Sequence, residues 1–233
     1  MNDTEFYFYF RGHIRDTFKT NILKNFVNKL KILFPNIKFI IQTWKNLYCY
    51  RNIRYVNKKF DNTIVTEEMI IEYFMDDTIC DNCTIIHENK IELIGVCEGT
   101  VSNTRCSKIG WKRMWYGKYM GLKNCDISGI SDKMVVSVKF DYFDTPFNMQ
   151  CDDNIFKFIN NSLNKPEDNI QTLIPLFKLG TDNFYMGKYS ILFKLISIFH
   201  KHLDSIEKHT NPTRNQEHIV SNFIYGLNKL FIK

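Results

Sequence analysis

The sequence predicts an α/β fold in which a mostly parallel, Rossmann-like sheet is flanked by helices within a single domain. The N-terminal residues supply the first observation, because strand-like Glu5–Phe10, helix-like Thr17–Phe34 and strand-like Asn36–Trp44 follow one another. The helix is predicted by apolar side chains that recur at a helical period, and Pro35 marks its end. The second observation is a later apolar strand, Met134–Phe140, which is followed by carboxylates. Nearly continuous apolar strands suit burial on both faces of a parallel sheet.

Further helices and strands are predicted along the rest of the chain. Thr66 is typical of a helix N-cap, because acidic residues follow it in the first turn. No internal repeat, low-complexity linker or long charge block marks a boundary, so one domain over residues 1–233 is predicted. The further predicted helices are Thr66–Phe74, Trp111–Leu122, Lys188–His202 and Glu217–Ile232, and the further predicted strands are Cys83–His87 and Ile91–Val96.

Length and composition indicate a globular protein that is not exported. The 233 residues are 44% hydrophobic and 15% aromatic, which is enough to bury a sizeable core. The sequence has no run of about twenty apolar residues, so a membrane span is not predicted. The acidic start, with Asp3 and Glu5, does not resemble an export signal. The seven cysteines are an odd number and indicate reduced thiols, so we expect a cytoplasmic protein.

Positive charge is concentrated in the N-terminal part of the chain. Residues 1–60 hold 12 Lys and Arg against 3 Asp and Glu, a net charge of +9, whereas residues 61–233 hold 19 against 22, a net charge of −3. A basic region of this kind suits nucleic acid, an anionic membrane or a phosphorylated small molecule as a partner. The charge distribution does not choose among these three classes.

The turn after the first strand, Arg11-Gly-His-Ile-Arg15, is a candidate phosphate site. Arginine side chains can pair with phosphate through two parallel hydrogen bonds, and Gly12 lets the backbone approach a ligand. The chain has neither the glycines of a dinucleotide fingerprint nor a P-loop motif, so those two nucleotide-binding folds are not predicted. The alternative is a basic turn on the surface. His13 is expected to line the site without a catalytic role.

The segment Arg105–Lys123 combines six basic residues with aromatic side chains and has no acidic residue. This pattern is typical of a nucleic-acid surface, where rings stack on bases and cations meet phosphates. It also suits a helix that neutralises a diphosphate with its cations while its tryptophans pack in the core. For the individual aromatic residues core packing is the favoured role. The basic candidates are Lys112, Arg113 and Lys118, and the aromatic ones are Trp111, Trp115, Tyr116 and Tyr119.

Acidic side chains and one imidazole provide candidate metal ligands and a candidate base. Asp141 and Asp144 follow the strand Met134–Phe140, at the edge of an α/β sheet where metals and phosphates bind. The alternative is that they only solvate the strand end. Asp182, in a loop between two glycines, can accept a proton from a hydroxyl or form an Asx turn. His218 is a candidate third metal ligand, although a structural role is favoured.

Taken in order, these segments resemble a family: nucleotide-sugar-dependent glycosyltransferases of the GT-A type found in giant DNA viruses and bacterial surface-polysaccharide loci. The resemblance covers about residues 5–225. It consists of a turn after the opening strand, a second strand closing on Thr-Trp, a tryptophan-rich helix, an acid-ended strand and an Asp-Asn-Phe loop. In this chain the five motifs are Arg11–Arg15, Thr43-Trp44, Gly110–Lys118, Val136–Asp141 and Thr181–Gly187.

The resemblance implies a GT-A fold, a nucleoside-diphosphate-sugar donor and often Mn²⁺ or Mg²⁺ held by an Asp-x-Asp-like motif. It makes Asp141 the leading metal ligand, and Asp182 the base of an inverting member. This chain carries Lys139 where Arg is commoner, and it spaces its acids as Asp141-x-x-Asp144. The candidate donor-binding residues are Arg11, Gly12, His13, Arg15, Thr43, Trp44, Lys112, Trp115, Lys118 and Lys139.

The predicted function is therefore transfer of a sugar from a UDP-, GDP- or dTDP-linked donor to a hydroxyl of a glycan or protein acceptor. Residues 1–100 would form the nucleotide-binding half, and residues 101–233 the metal and acceptor half. A nucleic-acid-binding protein is kept as an alternative, although no nucleic-acid partner is expected of the transferase. A catalytically inactive GT-A fold used for interaction is a further alternative, motivated by Lys139 and the acid spacing. The residues leave the donor sugar, the stereochemical outcome and the oligomeric state open.

Overall fold

The structure is a computed structural model, and it describes residues 4–48, 61–101, 106–125, 127–143, 152–164, 169–172, 184–209 and 216–231. The strands of this part of the chain are β1 (Phe6–Arg11), β2 (Ile37–Trp44), β3 (Asn46–Tyr48), β4 (Asp61–Ile64), β5 (Cys83–Ile86), β6 (Met134–Lys139), β7 (Gln171–Thr172) and β8 (Phe184–Lys188). The helices are α1 (Ile22–Leu33), α2 (Glu67–Phe74), α3 (Lys108–Lys123), α4 (Asp152–Asn164), α5 (Tyr189–His209) and α6 (Gln216–Phe231).

Six of these strands form one sheet in the order β5-β2-β1-β6-β8-β7. The strands β5, β2, β1 and β6 are parallel, whereas β8 runs antiparallel to both of its neighbours. The strands β3 and β4 form a separate antiparallel pair. The prediction of an α/β fold with a mostly parallel sheet is therefore confirmed.

Side chains of the central strand β1 alternate between two cores, one on each face of the sheet. Phe6, Phe8 and Phe10 belong to the core that α1, α2 and α4 cover. Tyr7 and Tyr9 belong to the core that α3, α5 and α6 cover. All six residues of β1 are buried, because helices lie on both faces. This is the environment that a continuous apolar strand predicts.

Helix α3 approaches the sheet closely at two glycines. A Cβ atom on Gly121 would lie 2.6 Å from Cβ of Gln42, and one on Gly117 would lie 3.0 Å from Oε1 of the same side chain. The helix begins after Ser107, whose side chain accepts a hydrogen bond from the Gly110 N–H. The two glycines therefore set the distance between α3 and β2.

Two ion pairs join α3 to α5. Lys112 Nζ lies 2.9 Å from Asp204 Oδ1, and Lys108 Nζ lies 3.0 Å from Glu207 Oε2. The side chain of Lys112 is only 5% exposed, whereas that of Asp204 is 31% exposed. Lys112 also donates a hydrogen bond to the backbone carbonyl of Ile94. Lys112 is thus held between two helices and the loop that precedes α3.

The predicted strand Ile91–Val96 is wrong, because these residues form a loop. Side chains, and not a neighbouring strand, bond two of its backbone polar groups. The Val96 N–H donates to Asp204 Oδ2 at 2.9 Å, and the Ile94 carbonyl accepts a hydrogen bond from a lysine of α3. Gly95 has a φ of +76°, a left-handed conformation that regular strand geometry does not contain.

Other elements differ from the predicted ones at their ends or in kind. Helix α1 begins only at Ile22, since Thr17–Lys19 forms a separate 3₁₀ turn, and α5 continues to His209. The polar stretch 152–164 forms α4, and residues 184–188, within the predicted loop before α5, form β8. Neither was predicted, because α4 is rich in asparagine and aspartate and β8 is short and contains a glycine.

The longest helix in the described part of the chain is α5, with 21 residues, and it carries several Lys, His, Asp and Glu side chains. None of the described helices combines the length and the apolar composition that crossing a membrane would need.

Candidate functional site

The strands β1 and β6 are neighbours in the sheet although they lie far apart in the sequence. From β1 the chain builds β2 and then β5 on one side, and it returns to the other side of β1 to build β6. Such a switch in strand order opens a crevice at the carboxyl ends of the two strands, where ligands of α/β sheets bind. Arg11 and Lys139 are register partners at these ends. The fold therefore places two basic residues at the switch point.

Arg11 is buried beneath this edge, with 1% of its surface exposed. Its Nε donates a hydrogen bond to Ser137 Oγ at 2.8 Å, and its guanidinium carbon lies 5.4 Å from the centre of the Tyr185 ring. Lys118 reaches the same ring from α3, with its Nζ 5.7 Å from the ring centre. Two predicted donor-binding cations, one from a strand and one from a helix, are thus brought to one aromatic side chain.

Gly12 is the first residue after β1 and has a φ of +94°. Glycine adopts this left-handed region without steric cost. Its N–H is shared between the main-chain carbonyl and the side-chain Oε1 of Gln42, both at 3.1 Å. A Cβ atom at Gly12 would meet nothing within 4 Å. The turn therefore leaves open space where a side chain would stand, so a ligand can approach the Gly12 backbone closely, while the Gly12 N–H itself is bonded to Gln42.

An ion pair joins the turn after β1 to the residues after β6. Arg15 Nη1 lies 2.6 Å from Asp141 Oδ2, and the two side chains are 34% and 31% exposed. Arg15 has a φ of 54°, and its N–H donates to the Leu47 carbonyl at 3.1 Å. Asp141 belongs to a 3₁₀ turn, Phe140–Phe143, and not to the strand itself. Arg15 and Asp141 are 126 residues apart in the sequence, and the fold therefore brings the turn after β1 and the turn after β6 into contact.

His13 lies in the turn after β1 as a neutral imidazole. Its Nδ1–H donates to the Asn46 carbonyl at 3.2 Å, and its ring stacks on Trp44 with centres 5.6 Å apart. Burial lowers the pKa of His13 from 6.5 to about 4, and the charge of Arg15 acts in the same direction. The hydrogen bond to Asn46 opposes this shift only in part. His13 is therefore uncharged at neutral pH and acts through packing.

Acidification is expected to destabilise the protein through His13. Between pH 6.5 and 4 the unfolded state binds a proton at His13 that the folded state excludes, so this contribution is complete above pH 6.5 and is lost as the pH falls towards 4. His13→Phe keeps a ring but cannot titrate, so from pH 7 to 4 its unfolding free energy should gain about 1–3 kcal/mol relative to wild type. Urea denaturation at both pH values measures this gain. A constant difference between the two proteins would contradict it.

Three further predicted donor-binding residues are engaged in packing. Thr43 is fully buried in β2. Lys112 joins α3 to α5 and to the preceding loop. Trp115 is buried and stacks on Phe199 of α5, with ring centres 4.3 Å apart. These contacts account for Lys112 and for the ring of Trp115, whereas Thr43 Oγ1 and Trp115 Nε1 have no hydrogen-bond partner within the described residues.

The basic, aromatic segment around α3 is turned inward over much of its described part. Trp111 and Trp115 are buried, as the favoured core role for the aromatic residues predicts. Lys112 and Lys118 are 5% and 1% exposed. Tyr119 is half-buried and stacks on a histidine of α5, with ring centres 4.5 Å apart. A nucleic-acid surface needs accessible rings and cations, so these burials weaken that alternative.

Three predicted site residues lie beyond what the structure describes. Asp144 and Asp182 fall in the undescribed ranges 144–151 and 173–183. His218 belongs to α6, but its side chain is not described. The strand that follows Asp182 in the sequence, β8, begins at the carboxyl edge of the parallel strands, where Phe184 pairs with Val138.

The candidate site is identified by this geometry alone. No family model, curated protein or solved structure matches the chain. The resemblance to GT-A-type glycosyltransferases therefore stays a prediction from sequence motifs. The α/β fold is compatible with it, and two of its motifs, Arg11–Arg15 and Val136–Asp141, meet at one edge of the sheet.

A divalent cation at Asp141 would have to displace the ion pair described above. Carboxylate oxygens suit Mn²⁺ and Mg²⁺, but the Asp141 carboxylate is bonded to Arg15. Within the described ranges no three His, Cys, Asp or Glu side chains lie close enough together to hold a metal ion. The described residues therefore do not form a metal site by themselves, and we derive no chemical step from a metal. Dependence on Mn²⁺ or Mg²⁺ stays a prediction.

Gln42 and Ser137 are residues of this site that the sequence motifs do not identify. Gln42 pairs with Arg11 across the sheet and is 1% exposed, and Ser137 is fully buried and accepts the hydrogen bond from Arg11. Both are polar residues within otherwise apolar strands. A buried polar side chain needs a partner, so a single polar residue near the end of a buried strand is the signal that could have found them.

Proposed function

We propose that the protein is a nucleotide-sugar-dependent glycosyltransferase whose donor diphosphate binds at the carboxyl ends of β1 and β6. The observation that carries the proposal is the meeting of the Gly12 turn, the Arg15–Asp141 pair and Lys139 at the switch point of the sheet. Bare backbone and basic side chains at such a place suit a diphosphate. The sequence motifs supply the sugar-transfer chemistry, because they resemble those of GT-A-type enzymes.

In the proposed reaction the oxygen of an acceptor hydroxyl forms a bond to the anomeric carbon of the donor sugar. The bond between that carbon and the diphosphate oxygen breaks, and the diphosphate leaves with the electron pair. Arg15 and Lys139 at the edge, with Arg11 and Lys118 beneath it, stabilise the growing negative charge. The hydroxyl proton passes to a base, and the resemblance offers Asp182 for this role in an inverting enzyme.

The Arg15–Asp141 pair gives Asp141 a role that does not require a metal. The carboxylate holds the guanidinium at the edge of the sheet before the donor arrives. A cation that is already oriented loses less conformational entropy when it binds phosphate. As a metal ligand, by contrast, Asp141 would act through the cation that it holds. The two roles predict different responses to Mn²⁺.

Calorimetric titration with UDP, GDP, dTDP and their sugars, with and without Mn²⁺, tests the proposal. We expect a nucleoside diphosphate to bind the wild-type protein and Arg15→Gln to weaken that binding about 10- to 100-fold, since hydrogen bonds to charged groups contribute about 1.5–3 kcal/mol. Lys19→Gln removes a cation that is 63% exposed and pairs with the exposed Asp16, so it is the control and should bind like wild type. If none of these nucleotides binds the wild-type protein, the proposal is wrong.

Asp141→Asn separates the two roles of the carboxylate in the same titrations. Without Mn²⁺ the variant should bind the diphosphate more weakly than wild type, because a neutral amide holds the guanidinium of Arg15 less firmly in place. If Mn²⁺ tightens binding to wild type but not to the variant, Asp141 holds the metal. If both proteins respond equally to Mn²⁺, Asp141 serves only to orient Arg15.

An inactive fold used for interaction is the second candidate function. It is favoured by the ion pair itself, since Arg15 occupies the carboxylate that the resemblance assigns to a metal. Such a protein would bind a nucleotide sugar without turning it over. Donor hydrolysis or transfer by the wild-type protein that Asp141→Ala abolishes would exclude this candidate.

A further inference from the structure

The side chain of Gln42 lies between helix α3 and the Gly12 turn. Gln42 is the register partner of Arg11, and it is 1% exposed. Its amide is therefore shielded from water, so any hydrogen-bond partner of its polar atoms must come from the protein. The partners show what the residue does.

The N–H of Gly12 determines which end of the amide faces the turn. Because an N–H group only donates, the atom 3.1 Å from it must be the oxygen Oε1 of Gln42. The main-chain carbonyl of Gln42 accepts from the same N–H, also at 3.1 Å. Gly12 has a φ of +94°, and glycine visits this region about as readily as the right-handed one. A side-chain bond at this point therefore selects one conformation of a residue that has little preference of its own.

Helix α3 holds the amide in place from the other side. A Cβ atom on Gly117 would lie 3.0 Å from Oε1 and 3.1 Å from Nε2, and one on Gly121 would lie 2.6 Å from Cβ of Gln42. Any side chain at these positions would therefore push on Gln42. Within the described residues Nε2 has no hydrogen-bond partner, so packing by α3 and the Oε1 bond to Gly12 are what fix the amide.

We infer that Gln42 is a positioning residue which, held by Gly117 and Gly121 of α3, sets the Gly12 turn in the conformation that binds the donor diphosphate. The inference rests on the proposed function, because it concerns the same site. It adds Gln42, which lies outside the sequence motifs, to the residues of the site. It also connects helix α3, through Gln42, to the turn that meets the ligand. If Gln42 only filled space under α3, its removal would change stability but not the affinity for a ligand.

A double-mutant cycle between Gln42→Ala and Gly117→Ala tests the link. The first variant removes the side-chain acceptor of the Gly12 N–H and leaves the main-chain carbonyl of residue 42 in place, and the second pushes that side-chain acceptor away without changing residue 42 or 12. Each should weaken binding of UDP, GDP or dTDP, whichever binds wild type, about tenfold. The double variant should also lose only about tenfold, since both changes remove the same hydrogen bond, whereas independent effects would multiply to about a hundredfold. Gly226→Ala, at a position with nothing within 4 Å, is the control and should not change affinity.

The outcomes distinguish the inference from the proposed function. If a nucleotide binds wild type and the single variants with the same affinity, the inference is wrong but the proposed function stands. A hundredfold loss of affinity in the double variant has the same meaning. No nucleotide binding by wild type overturns the proposed function and the inference with it. The titrations are made under conditions in which circular dichroism shows that each variant is folded. Gln42→Met, which keeps the volume but offers no comparable acceptor, replaces Gln42→Ala if the latter does not fold, with the same tenfold loss expected.

Discussion

Replacing Asp204 with Ala is expected to lower the free energy of unfolding by about 3–5 kcal/mol, because it leaves the ammonium group of Lys112 buried without its carboxylate. Only 5% of the Lys112 side chain is exposed, and its Nζ lies 2.9 Å from each carboxylate oxygen. Water that enters the space left by the carboxylate can replace the anion only in part. The same change removes the acceptor of the Val96 N–H and so removes one of the hydrogen bonds that hold the loop before α3. Urea denaturation followed by circular dichroism measures the loss.

The reverse truncation and a surface pair provide the controls. In Lys112→Met the remaining Asp204 is 31% exposed and can be hydrated, so we expect a smaller loss of about 1–2 kcal/mol. Asp16→Ala breaks a pair with Lys19 whose side chains are 51% and 63% exposed, and it should change stability by less than about 0.5 kcal/mol. A larger loss of stability for Lys112→Met than for Asp204→Ala would show that the burial of the remaining charge does not decide which variant is less stable.

Gly121→Ala is expected to destabilise the protein by about 2–3 kcal/mol, although alanine is the better helix former. The new Cβ atom would lie 2.6 Å from Cβ of Gln42 and would also collide with the phenol oxygen of Tyr9. Tyr9 is fully buried and its hydroxyl donates to the Lys118 carbonyl at 3.1 Å, so neither neighbour can move away freely. Thermal or urea denaturation measures the effect.

Gly226→Ala is the matched control for this substitution. Gly226 lies in α6 on an exposed position, and a Cβ atom there would meet nothing within 4 Å. The change should therefore stabilise the protein by about 0.5–1 kcal/mol through helix propensity alone. The expected result is that Gly121→Ala lowers the free energy of unfolding and Gly226→Ala raises it. Stabilisation by both would mean that α3 can move away from the sheet at little cost.

The centre of the sheet could be predicted because its strands are buried on both faces over most of their length and are therefore nearly continuously apolar. β1, β2 and β6 are of this kind, and all three were predicted within one or two residues. Helix α2 could be predicted from its cap, and the side chain of Thr66 does accept a hydrogen bond from the Met69 N–H. The meeting of Arg15 and Asp141 follows from the same logic, since carboxyl ends of parallel strands share one edge.

The rest could not be predicted, because it depends on partners that local sequence does not reveal. Asp204 lies 92 residues from Lys112 in the chain, and nothing near either residue indicates the other. The basic segment of α3 therefore looked accessible although much of it is buried. In the same way the loop at Ile91–Val96 has strand composition, but side chains from α3 and α5 hold its backbone. For Gln42 the decisive neighbours are two glycines, which carry no side-chain signal.

The left-handed backbone of Arg15 has a consequence for the energetics of binding. A residue with a side chain adopts a φ of 54° only at a cost of about 1–2 kcal/mol, so the turn is strained. The contacts that restrain it include the ion pair with Asp141 and the backbone hydrogen bond to Leu47. A diphosphate that draws the guanidinium away from Asp141 would remove one of these restraints and let the backbone relax. Part of the free energy of binding would then come from strain that is already present in the ligand-free protein.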